Sequence, residues 1–209
     1  ASWSTKDASW TNSSGQTTRL DDLTDHAWLK LSSATSFLAQ AKKTDSGFQK
    51  RGQGIFAYTC GGAHMIQGVN HAKLRGFGHP SLDGPIKLQH ALLTYRYPIE
   101  LQQIDSALST HTEFAAALLI QRLKLTGHTL ETLARLSASG HEDAPDTRAL
   151  APYVQAVTDS VQMIQKAGLF AQLDTLKVSN EQRYLDLVGD SAHALRGLRI
   201  ASGESPVYY

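Results

Sequence analysis

The stretch Ile104-Asp-Ser-Ala-Leu108-Ser-Thr-His111-Thr-Glu-Phe-Ala115-Ala-Ala-Leu118-Leu-Ile-Gln-Arg122-Leu-Lys-Leu125 carries the clearest periodicity in the chain. Ile104, Leu108, His111, Ala115, Leu118, Arg122 and Leu125 follow in alternating steps of four and three, the spacing that keeps side chains on one face of an α-helix. The pattern predicts one continuous helix that begins after Pro98 and stops at Gly127, where glycine suits a C-terminal cap. It also places His111 in a core position, between Leu108 and Ala115.

The same period recurs on either side. Leu23, Ala27, Leu31, Ala34, Leu38 and Ala41 predict a helix from Leu20 onward, with Lys42 and Lys43 at the end that the macrodipole favours for cations. A short helix is expected around Leu130 to Leu136. Pro152 opens another that carries Val154, Val157, Val161 and Ile164, and Gly168 closes it. A brief helical piece near Leu169 to Leu176 leads to Ser179-Asn180-Glu181-Gln182, an N-terminal capping sequence. The last helix then presents Leu185, Val188, Ala192 and Leu195 as its packing stripe. Strand signals are confined to Ile55–Thr59. The expected fold is all-α, a single-domain bundle of five to six helices over residues 19–209. Residues 1–18 form an extended arm, with Trp3 and Trp10 docking it on the body.

The chain has 209 residues, 41% of them apolar, enough for one ordinary core. Its 20 basic and 19 acidic residues leave no net field to attract nucleic acid, and no apolar run is long enough to span a membrane. One cysteine, Cys60, excludes an internal disulfide framework, a multi-cysteine zinc site and an iron–sulfur cluster. The opening Ala1-Ser2-Trp3 fits the small residues that a signal peptidase leaves at its cut, so a secreted or periplasmic location is expected.

Chemistry concentrates in a glycine-rich segment, residues 47–84, which reads Thr59-Cys60-Gly61-Gly62-Ala63-His64-Met-Ile-Gln67-Gly68-Val-Asn-His71 at its centre. A helix starting near Cys60 with Thr59 as its cap would set Cys60, His64, Gln67 and His71 within an arc of about 60°. Cys60 and His64, one turn apart, would reach one metal ion, with His111 as the remote third ligand. Thiolate, imidazole and thioether donors suit copper, and the same pair suits zinc. Gly61, Gly68 and His71 would border a larger cofactor such as haem, since a mid-helix glycine such as Gly68 costs about 1 kcal/mol and needs a reason. Close approach of another backbone is the alternative reason.

The Cys60-x-x-x-His64 spacing resembles the second half of the Cys-x-x-Cys-x-x-x-His motif of the alkylhydroperoxidase D-like helical family. The first cysteine of that motif falls at Ala57 here, so its reactive pair is absent and no role is carried over.

Three functions follow from the residues themselves. The first is an exported helical protein that holds copper, zinc or haem through Cys60 and His64. The second is a thiol-dependent enzyme, with Cys60 as nucleophile activated by a helix N-terminus and by His64. The third is a helical binding module for a small molecule or a protein, with Cys60 merely packed.

Overall fold

The computed structural model describes residues 8–48, 60–80, 83–139 and 145–205, the side chains of 83–85 aside. It is mostly helical, as expected, with seven α-helices among the described residues, against five to six expected. They are α1 (Leu20–Thr44), α2 (Ala63–Leu74), α3 (Asp83–Thr110), α4 (Ala115–Ser137), α5 (Ala151–Lys166), α6 (Leu173–Ser179) and α7 (Glu181–Ala201). No helix is long and apolar enough to cross a membrane among the described residues. The described residues divide into two compact units, one within residues 8–94 and the other within residues 95–205.

In the first unit, the expected arm contains a small hairpin. Strands β1 (Ser9–Thr11) and β2 (Thr17–Arg19) pair antiparallel, with Trp10 opposite Thr18, and Trp10 is exposed rather than docked. Asn12 shapes the turn, its side-chain oxygen accepting from the Ser14 and Gln16 amides. Asp22 caps α1 by accepting from the Arg19 amide at 3.0 Å. Leu38 packs with Leu92, and Val69 with Ile86 beside Ala27 and Trp28, so α1 meets the start of α3 in one cluster and both α2 and α3 in another. The acidic start of α1 is more than a solvated cap. Asp21 accepts from the Gly78 amide at 2.7 Å and Asp25 from the His79 amide at 2.9 Å, which fastens the loop after α2.

In the second unit, two expectations about helix ends are corrected. Pro98 stands inside α3 instead of ahead of it. The helix stops at Thr110, and His111 caps a short 3-10 turn, residues Thr112–Phe114, before α4 begins at Ala115. The continuous stripe through residue 111 is therefore two helices meeting at a corner. Gly127 does not end α4, which runs on to Ser137 and absorbs the short helix expected at Leu130 to Leu136.

Gly127 has a different purpose. A Cβ there would lie 3.0 Å from the Ala194 backbone nitrogen, and one on Gly197 would lie 2.8 Å from the Glu131 backbone nitrogen. Both glycines mark where α4 and α7 touch backbone to backbone. The two helices run in the same direction. Lys124 meets Asp186, His128 meets Asp190 and Glu131 meets His193, a constant offset of 62 residues. Helix α4 is the centre of the unit, buried through Leu123, Leu125, Leu130 and Leu133, with α5 contributing Val157 and Ile164. Arg122 joins three helices from within: it donates to Asp105 at 2.7 Å, to the Ala156 carbonyl at 3.1 Å and to Ser160 at 2.6 Å.

The face of α7 turned to α4 holds Leu187, Asp190, Ala194, Gly197 and Ile200. The expected stripe of Leu185, Val188, Ala192 and Leu195 is exposed. Asn180 caps the helix as its sequence implied, accepting from the Arg183 amide at 3.0 Å.

Adding a methyl group at Gly197 should force the two backbones apart. Gly197→Ala is expected to cost about 1–3 kcal/mol in urea unfolding, the range of core overpacking, and Gly127→Ala somewhat less, because its clash is milder.

Candidate functional site

The glycine-rich segment folds differently from its expected form. The Ala63 amide donates to the Cys60 carbonyl at 3.0 Å, closing a tight turn in which Gly61 and Gly62 have φ of 47° and 85°. Two successive positive φ values favour glycine at both positions, which explains this pair without a macrocycle. Helix α2 consequently starts at Ala63, with Gly62 as its N-cap. Cys60 precedes the helix, so it does not share a helical face with His64, and the argument for a thiol within the first helical turn falls. Thr59 and Ile55 lie outside the described residues.

Cys60 is half-buried, Gly61 is buried in the turn, His64 is exposed on the first turn of α2 and His71 is half-buried on its last turn. Gly68 is exposed, and among the described residues nothing lies within 4 Å of where its Cβ would point. Close approach of another backbone is thus not its reason. His111 is corrected most sharply: its side chain is 58% exposed and lies 3.6 Å from Glu113. A helix end, not a core position, accounts for it.

A separate cluster of titratable groups, with His128, Glu131 and Asp190 buried, lies in the second unit. His128 and Glu131 stand three residues apart on α4, and Asp190 and His193 three apart on α7, so each pair faces one way from its helix. Because the helices run in the same direction and touch at their glycines, the four groups meet in crosswise pairs. His128 Nε2 lies 3.2 Å from Asp190 Oδ1, and His193 Nδ1 lies 2.5 Å from Glu131 Oε2. The two imidazoles stack with centroids 3.9 Å apart and planes inclined by 33°. None of the four was singled out in the sequence. The signal was there as His-x-x-Glu and Asp-x-x-His, one on each helix.

Glu131 is the pivot. Its side chain is 0% exposed, yet it accepts from Arg135 at 2.9 Å, from Arg196 at 3.2 Å and from His193. Burial works against its ionisation, but the hydrogen bonds and charges of His193 and Arg135 outweigh it and pull the carboxyl down to about 2. His128 is lowered as well, which for an imidazole favours the neutral form: burial holds it below the ordinary range, against the opposing hydrogen bond that it makes to Asp190. Lys124 adds a cation at the Asp190 end, 3.7 Å from Oδ2.

No family model matches the chain, and no curated protein or solved structure matches it either.

Two outcomes test these placements. The Glu131 carboxyl is depressed relative to the unfolded chain, so its contribution is present above about pH 4.5 and fades as the pH falls towards 2. Glu131→Gln, which takes the carboxylate from Arg135, Arg196 and His193, is expected to cost about 3 kcal/mol at pH 7, and the gap from the parent should narrow through that acid window. At Gly68 the expected effect is opposite in sign. Gly68→Ala should stabilise the protein by up to about 1 kcal/mol, measured by thermal unfolding, because nothing occupies the methyl's space.

Proposed function

We propose that the protein binds a single transition-metal ion through the paired imidazoles of His128 and His193. The observation that carries this reading is the orientation of the two rings: each has one nitrogen on a carboxylate, Asp190 or Glu131, as metal-bound imidazoles have in carboxylate–histidine–metal arrangements. A carboxylate that accepts from one ring N–H fixes the proton on that nitrogen and leaves the lone pair on the other. One nitrogen of His128 and one of His193 lie within 4.8 Å of each other, a span that a single ion can bridge.

The chemistry of the donors narrows the ion. Neutral imidazole suits zinc and copper, and burial keeps His128 in that neutral form. The pair supplies two of the four donors that a tetrahedral ion takes. His193, 23% exposed, leaves the site accessible from solvent. A small ion fits this arrangement better than haem. Rings stacked 3.9 Å apart approach an ion from one side, whereas two axial haem ligands stand on opposite faces of the macrocycle.

Zinc titration by calorimetry, with cobalt absorption as a spectroscopic stand-in, tests the reading on the full chain. One ion per chain is expected, with binding lost in His128→Ala and in His193→Ala. Asp190→Asn should weaken it by about ten- to a hundredfold through ring orientation alone. Cys60→Ser should leave it unchanged. Binding that survives the histidine changes and disappears with Cys60 would move the site to the thiol segment, and absence of binding would overturn the proposal.

A further inference from the structure

Helix α7 is apolar on two opposite sides. Its inner face, Leu187, Asp190, Ala194, Gly197 and Ile200, is turned to α4. About 180° away run Leu185, Val188, Ala192 and Leu195, in steps of three, four and three, within an arc of about 80° at 100° per residue. Leu185 is 53% exposed, Val188 43% and Leu195 57%, so about half of each side chain stays open to solvent. Scattered surface leucines need no explanation, but a narrow seam at this spacing is the pattern by which one helix recognises another.

The order of residues along the seam identifies its occupant. Leu185 and Leu195 stand five residues either side of position 190, and Val188 and Ala192 stand two either side. Glu181 and Arg199 stand nine either side, are exposed, and project along the middle of the same arc. The seam therefore has the same polarity pattern from both ends, with Val188 answering the smaller Ala192, and its charge changes sign. An antiparallel copy would set leucine on leucine, Val188 on Ala192, and Glu181 on Arg199 at both ends. A parallel copy would set Glu181 on Glu181 and Arg199 on Arg199, which is repulsive. At the centre Gly189 and Ala192 are small, and nothing lies within 4 Å of a Gly189 Cβ among the described residues, so the helices can approach closely. Arg199 donates to Glu204 at 2.7 Å, a fully surface pair that readily exchanges partners.

We infer that the outer face of α7 is a self-association surface, where a second copy of the chain docks its own α7 antiparallel about a two-fold axis beside residue 190. One patch serves both partners, as an isologous dimer requires.

Sedimentation equilibrium of the full chain across the micromolar range is the test. A monomer–dimer equilibrium is expected. Leu185→Glu and Leu195→Glu should each weaken it by more than about tenfold, with circular dichroism unchanged because both positions are on the surface. Glu181→Arg and Arg199→Glu should each weaken it by roughly threefold to tenfold, and the two combined should restore it. A chain that stays monomeric, or a dimer indifferent to both leucine changes, would overturn the proposal. A double charge exchange that fails to restore association would overturn the antiparallel register.

Discussion

Backbone contact between α4 and α7 is the constraint on which the second unit depends. Where Gly127 meets Ala194 and Gly197 meets Glu131, no side chain separates the helices. That closeness seals the Glu131 carboxylate from water and brings His193 and Arg196 of α7 within reach of it. A buried carboxylate without partners is costly, and a fully paired one roughly breaks even against an apolar alternative. What the network adds is register. A slip of one turn along α7 would remove His193 and Arg196 from Glu131 and Asp190 from His128 together, so the offset of 62 residues is specified several times over.

Most of the helical content was legible from spacing, because a stripe of leucine and valine every three or four residues has few other readings. The α5 start at Pro152, its stop at Gly168 and the Asn180 cap are local signals, and each was found where its chemistry places it. The errors share one cause: local signals do not say what stands opposite. Gly127 has the marks of a helix stop until Ala194 is seen against it. His111 continues an apolar period that crosses a corner between two helices. The pairing of Gly61 with Gly62 reads as space for a ligand, while a tight turn uses both for their positive φ. Even the chemistry-bearing residues were visible in part, since His-x-x-Glu and Asp-x-x-His each put two polar groups on one helical face. What one dimension withholds is that these two faces meet.

The inverted pattern of α7 follows from the same contact. Sequence reasoning assigns the larger apolar side chains to the inside, yet this helix turns Asp190, Ala194 and Gly197 inward beside Leu187 and Ile200, and keeps Leu185, Val188 and Leu195 outside. Close approach explains the inner composition, because large side chains at Ala194 or Gly197 would hold the helices apart and separate the paired groups. The histidines then owe their orientation to packing at neighbouring positions as much as to their own hydrogen bonds.

The inner face mixes Leu187 and Ile200 with the small Ala194 and Gly197 and the polar Asp190, so it buries less apolar surface than a leucine stripe would. Such a helix is held in place by specificity more than by burial. A second apolar face on its far side supplies the missing area only if something covers it. Covering it with another copy would press α7 onto α4 from outside, where the carboxylate and imidazole pairs require the tightest approach. Association through the outer seam and ordering of the inner site would then favour one another, because both depend on the same helix staying seated against Gly127.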